Sequence, residues 1–180
     1  MLYVVGGVRG VTYLDNIMYV VCDKSRTIRL YNTDTLSRLR VVINVKGMKQ
    51  PCDVVVCRHD RQLYVADYYC IWRVSVDDHS YVKWLTRSST DRFSVDKLSL
   101  TSRRLLVTSS SPWLSPAVRQ YSTMNKELLC VVQLPQFVKE LYHAVETTHG
   151  TFVIGHKGTS QYAWQCAVSE LFRFCHVLQH

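Results

Sequence analysis

Short apolar runs, each broken by a few polar residues, recur along the whole chain. They are clearest over 51–75, PCDVVVCRHDRQLYVADYYCIWRVS. Val54, Val55 and Val56 are β-branched and stiff at χ1, which favours a pleated strand. His59, Asp60 and Arg61 interrupt that run with turn chemistry. Leu63, Tyr64, Val65 and Ala66 resume it, and Asp67 closes it. A third run over 71–76 carries Ile71, Trp72 and Val74. Runs this short, separated by so few polar residues, predict antiparallel hairpins instead of crossover units.

The same pattern returns at a regular interval. Aligning second strands over 17–21, 63–66, 105–108 and 151–154 puts Tyr19, Tyr64, Leu106 and Phe152 in register, with steps of 45, 42 and 46 residues. The preceding turns are Asp15-Asn16, Asp60-Arg61, Ser102-Arg103 and His149-Gly150, with Asn and Gly available where positive φ is wanted. First strands are expected over 11–14, 54–57, 97–101 and 144–147. Third strands are expected over 27–31, 71–76, 117–121 and 163–168, and fourth strands over 39–45, 81–86 and 128–134. Four short strands at this period make a β-propeller blade.

The fold class is therefore all-β, a propeller segment of about four four-stranded antiparallel blades. One domain, 1–180, is divided into blades over 10–47, 51–86, 94–134 and 142–180. Residues 169–180 are either the missing outer strand of the fourth blade or a short helix. Residues 2–5 fit a strand of a further blade. An open array leaves unpaired edges, so an incomplete ring, part of a larger one or truncated, is expected.

Residues 51–75 resemble an NHL repeat: Pro51, then Leu63, Tyr64, Val65, Ala66 and Asp67, match that family's pattern. The first unit is similar through Met18, Tyr19, Val20 and Val21, with Cys22 displacing Asp23, then Ile28 and Tyr31. The third and fourth units lack the aspartate; Ser109 or Ser110, and Gly155, stand near its place. The resemblance implies a six-bladed ring used as a platform for protein or single-stranded RNA. WD-type and YWTD-type propellers share the period, but their signature strings are absent.

Composition narrows the class. Of 180 residues, 47% are apolar, enough for a core, and glycine and proline are scarce. No apolar run reaches the roughly 18–20 residues of a membrane helix. Met1 leads straight into LYVV without a basic n-region, so no signal peptide is expected. The odd count of 7 cysteines, with no C-x-x-C, fits a reduced, intracellular, cytoplasmic chain in which cysteine serves as a small hydrophobe. The net charge of +8 suits acidic partners or serves solubility alone.

In a propeller, loops joining strands two and three, and those joining successive blades, emerge on one face. The first face then receives Lys24, Arg26, Lys46, Lys49, Arg87, Arg92, Lys139 and Lys157 against Asp91 and Glu140. The other receives Asp15, Asp34, Asp60, Asp77, Asp78 and Glu127, mixed with Arg38, Arg61, Arg103, Arg104 and Lys126. Tyr68, Tyr69 and Trp113 join the basic face, a combination that suits single strands. Exposed loops also attract lysines without any ligand. Residues 109–117, SSSPWLSPA, are expected to be the longest loop, with Trp113 and Leu114 near its tip. Trp113 is either a contact anchor or packs back on its own blade. Asp23 and Asp67 read as turn caps whose carboxylates accept backbone N–H bonds.

No catalytic, cofactor-binding or metal-ligating residue is expected. Cys57 with His59, and His149 with His156, are poor ligand spacings. Ser109, Ser110 and Ser111 lack a Gly-x-Ser-x-Gly elbow. The glycines of Gly6-Gly7-Val8-Arg9-Gly10 read as a turn, without phosphate-loop spacing. The expected function is a non-catalytic binding or scaffold module, not an enzyme and without cofactor. Its partner is a protein or, alternatively, RNA or another polyanion, with a metal-dependent propeller hydrolase third. The candidate partner-binding residues are Lys46, Lys49, Tyr68, Tyr69, Arg87, Arg92, Trp113 and Leu114.

Overall fold

The structure is a computed structural model that describes residues 6–86, 94–111, 114–134, 138, 140–147, 151–157 and 164–168. Its described residues form four antiparallel sheets and no helix. The chain divides into two compact units, Met1–Thr86 and Arg87–His180.

Unit one holds two four-stranded sheets. The first runs in order through β1 (Val8–Leu14), β2 (Ile17–Cys22), β3 (Thr27–Asn32) and β4 (Arg38–Asn44). The second runs through β5 (Pro51–Cys57), β6 (Gln62–Asp67), β7 (Cys70–Ser75) and β8 (Tyr81–Thr86). Period-two alternation sends Tyr19, Val21, Ile28, Leu30 and Ile43 of the first sheet into one core with Val54, Leu63, Val65 and Val74 of the second. The intervening Val20, Cys22 and Tyr31 form a smaller cluster on the opposite side of the first sheet. Full burial of such side chains is worth about 1.5–3 kcal/mol each, which makes the sheet-to-sheet core the main cohesive force of the unit.

The inner strands of the two sheets come very close. A Cβ added at Gly10 would lie 2.7 Å from the Val54 nitrogen and 2.8 Å from the Asp53 Cα. The approach coincides with a bulge. The β1–β2 register slips between Val8 and Gly10, and the β5–β6 register slips between Pro51 and Asp53, opposite the equivalent residues Cys22 and Asp67.

Unit two contains β9 (Lys97–Thr101), β10 (Arg104–Ser111), β11 (Leu114–Ser122) and β12 (Leu128–Gln133) in one sheet. A three-stranded sheet follows, formed by β13 (Glu140–Glu146), β14 (Phe152–Lys157) and β15 (Trp164–Val168). Leu106, Val118, Cys130 and Val132 pack with Leu141, Ala144, Phe152 and Ile154.

One corner is reproduced in three blades. Between strands three and four, the amides of Asn32, Ser75 and Ser122 donate to the carbonyls of Ser37, Ser80 and Glu127 at 2.8–2.9 Å. The next residues, Thr33, Val76 and Thr123, donate to Asn16, Arg61 and Arg103 of the neighbouring hairpin. Leu36, His79 and Lys126 each take positive φ, between 54° and 65°, at the same place. The Asn32, Ser75 and Ser122 side chains accept an amide from the corner, an Asx or Ser turn.

The propeller pattern of four blades holds, and the expected strands agree within a few residues. Three local readings are corrected. The 109–117 stretch is not a long loop: β10 extends to Ser111 and β11 begins at Leu114, with Ser111 paired to Leu114. The serines and Pro116 fit there because the register slips at that point, so the proline costs no ladder bond. Positive φ falls on Asp15, Arg61 and Ser102, not on Asn16. In the fourth blade the bulge lies between Leu141 and His143, opposite His156 and Gly155. Judged by that bulge and by the core-facing Phe152 and Ile154, His156, not Gly155, occupies the place of Asp67. Residues 2–5, 169–180 and the turn His149-Gly150 lie outside the described residues.

Gly10→Ala is expected to destabilise the protein by roughly 1–3 kcal/mol through overpacking against backbone that cannot yield. Urea unfolding measures it. Gly7→Ala, where nothing lies within 4 Å of the added carbon, should leave the midpoint unchanged.

Candidate binding face

The face is organised by one carboxylate. Asp67 ends β6 and is only 6% exposed. The Lys49 amide donates to both of its oxygens at 3.1 Å, and the Gln50 amide donates to Oδ1 at 2.5 Å. Trp72 Nε1 donates to Oδ2 at 3.0 Å, and Cys70 Sγ lies 3.8 Å from the same oxygen. Burial, and then the Asp67 charge beside it, push the Cys70 thiol up to about 12, so it stays protonated and able to donate. Asp67 is thus a cap, as expected, but of a different segment. It holds the connection entering its own blade, while its backbone carbonyl accepts the Tyr69 amide to close the following turn.

Asp23 has a different fate. Cys22 occupies the equivalent place and is buried, so Asp23 falls one residue further on, half-exposed and paired with Arg9 at 3.2 Å. In the third blade the place belongs to Ser109, which is buried and donates to the Ala117 carbonyl. It accepts from Arg119 Nη1 at 2.5 Å. Arg119 opposes Val107 as Trp72 opposes Val65, so the donor as well as the acceptor recurs by register.

Backbone bonds knit three connections of unit one together. The Val45 amide donates to the Arg26 carbonyl at 2.9 Å, joining the β2–β3 turn to the β4–β5 connection. The Met48 amide donates back to Val45, and Gly47 has φ +100°, where an added Cβ would lie 3.3 Å from Cη2 of Trp72. Asp67 then joins Lys49 and Gln50 to the turn carrying Tyr68 and Tyr69. Lys24, Arg26, Lys46 and Lys49 are all exposed on these connections. No ion pair among the described residues involves any of the four. Tyr68 and Tyr69 are 38% and 54% exposed and meet edge to face with centroids 4.5 Å apart. Lys83 Nζ lies 5.3 Å from the Trp72 ring centroid, on the same hub.

The opposite ends of these blades differ in charge logic. Arg61 Nη1 reaches Asp15 at 3.0 Å and its Nε reaches Asp77 at 2.7 Å, so one cation serves two acids. These bonds hold the Arg61 guanidinium above its ordinary range. Hydrogen bonds from Ser75, and then from the Ser80 amide and hydroxyl, bring Asp78 down to about 2. Arg58 sits over the Tyr13 ring at 4.8 Å. In unit two, Arg104 and Gln120 both donate to Glu146, whose side chain is nearly buried.

Of the sequence-predicted residues, the structure brings Lys46, Lys49, Tyr68 and Tyr69 together. Arg87, Arg92 and Trp113 lie outside the described residues, and Leu114 opens β11. The pattern of residue types did not reveal that Asp67, Trp72 and Cys70 form one hub. The readable signal was an Asp at a strand end with Cys and Trp three and five residues on. Among the described residues, no cluster of three His, Cys, Asp or Glu could hold a metal, and no helix is long and apolar enough to cross a membrane.

No family model matches the chain, and no curated protein matches it. Solved structures define the class of fold as a β-propeller segment. The chain is similar to hydrazine synthase of Kuenenia stuttgartiensis, at a TM-score of 0.69 and 12% identity over 89% of this chain and 46% of that one. It is similar to the β-propeller domain of Cps50 (Swd1) from Myceliophteria thermophila, at 0.61 and 8% identity over 89% of this chain and 58% of the other. The computationally designed Ika4 protein matches at 0.62 and 10% identity, over 91% of both chains. The chain thus spans about half the length of the two natural structures.

Asp67→Ala is expected to cost roughly 3 kcal/mol or more, since buried hydrogen bonds to a charged group carry about 1.5–3 kcal/mol each and several are lost together. Urea unfolding gives the value, and the amides of Lys49 and Gln50 should lose hydrogen-exchange protection first. The Asp78 carboxyl should titrate by NMR with a midpoint near 2, moving up in Ser80→Ala. Because its folded value lies below the ordinary one, the turn's contribution is present above the usual carboxylate range and is lost as the pH falls through about 2.

Proposed function

We propose that the chain is an NHL-like propeller segment, a single domain acting as a non-catalytic module that holds a protein partner on the face around Asp67. One observation carries this reading. The exposed Tyr68–Tyr69 pair sits on a two-residue turn that directly follows Asp67, a buried carboxylate held by the Lys49 and Gln50 amides. Tyrosine on a rigid support gives a large contact area at small entropic cost, the chemistry of an interface anchor. The propeller fold supports the reading in a general way, since its loops converge on end faces. The free cysteines, four of them buried, support a reducing, intracellular and cytoplasmic setting.

A second reading, RNA or another polyanion, is favoured by the four exposed cations that form no ion pair among the described residues. Affinity capture separates the two. The chain should retain protein partners after nuclease treatment, and Tyr68→Ala/Tyr69→Ala should lose them while melting at the wild-type temperature. Partners that vanish with nuclease, or persist in the double variant, would refute the protein reading.

A further inference from the structure

We infer that the partner presents an acidic, extended protein segment to the cationic cluster of Lys24, Arg26, Lys46 and Lys49. This deepens the protein-binding reading and rests on it. Three observations carry it. First, the four cations are contiguous by backbone connection: Arg26 is bonded to Val45, Lys46 follows directly, and Lys49 is tied to the residue preceding Tyr68. Second, none of the four forms an ion pair among the described residues. Asp23 is engaged by Arg9, and Asp67 is buried under two amides and an indole. The far ends of the same blades hold Arg61 against two acids. At the near end, no ion pair among the described residues engages any of these four cations.

Third, the aromatic geometry separates peptide from nucleic acid. Single-stranded binding needs successive ring faces along the strand, one per stacked base. Here the exposed aromatics of the face, among the described residues, share one turn and are packed edge to face on each other. Those two rings make one platform. A peptide with carboxylates flanking one apolar contact uses such a surface fully, through charge-assisted bonds from lysine and arginine. The cations sit in solvent, so each contributes modestly and their joint field sets the affinity and its salt dependence.

The test uses the full chain and two fluorescent probes, a deca-glutamate peptide and a 15-nucleotide oligothymidylate, read by anisotropy. Deca-glutamate should bind more tightly than the oligonucleotide and weaken as salt rises. Lys46→Glu/Lys49→Glu should weaken it roughly tenfold, whereas Arg38→Glu, at the other end of the blade, should leave it unchanged. If deca-glutamate fails to bind while tyrosine-dependent protein capture persists, the acidic-segment inference is overturned and the protein-binding reading stands. If both fail, both fall. Tighter oligonucleotide binding that is lost in Lys46→Glu/Lys49→Glu overturns the inference in favour of nucleic acid.

Discussion

A carboxylate taken out of water must be met by donors on every side, or it loses its charge or its place. Asp67 meets this demand with donors from two segments of the fold. Two amides come from the connection that enters its blade, while the indole and the thiol come from the next strand. The cost of burying the charge therefore becomes a geometric constraint. The Val45–Gln50 connection cannot drift without uncovering an ion, and the Tyr68–Tyr69 turn cannot drift without pulling that ion from its donors. The exposed residues of the face inherit their fixed positions from a group that solvent scarcely reaches.

The other blades show what else that position admits. Cys22, Ser109 and His156 stand where Asp67 stands, all buried. Each is small or polar, and none is a carboxylate. The serine keeps a shortened version of the arrangement, with Arg119 supplying the donor that Trp72 supplies in the second blade. The repeat thus conserves a place and a direction in space more strictly than a residue type. The ion balance follows a related division. At one end of the blades of unit one, Arg61 closes on Asp15 and Asp77; at the other, Arg9 closes on Asp23 while the side chains of Lys24, Lys46 and Lys49 are exposed to solvent.

Strand order and pairing were legible because they depend on alternation, which Val54 to Val56 and Leu63 to Ala66 display directly. Lys46, Lys49, Tyr68 and Tyr69 were legible because loop membership follows once the strands are placed. The hub was not, since Lys49 and Trp72 act on Asp67 across 18 and 5 residues, a relation set by register and not by composition. The fourth blade shows the same limit from another side. Phe152 looks like Tyr64 in a string of letters, yet a bulge near Leu141 moves the true correspondence by one residue. The serines near 109 read as loop because serine is frequent in loops. Ser109 belongs to a strand because its hydroxyl finds a carbonyl and a guanidinium inside the sheet.

The corner between strands three and four closes through main-chain atoms and one short polar side chain. Thr33-Asp34-Thr35-Leu36, Val76-Asp77-Asp78-His79 and Thr123-Met124-Asn125-Lys126 adopt it alike, although they share almost no letters. Selection on shape therefore leaves those letters nearly unconstrained. Repeats born identical can drift apart at such places while the architecture persists, which gives a physical reason for a propeller whose ancestry is faint in its text and plain in its geometry.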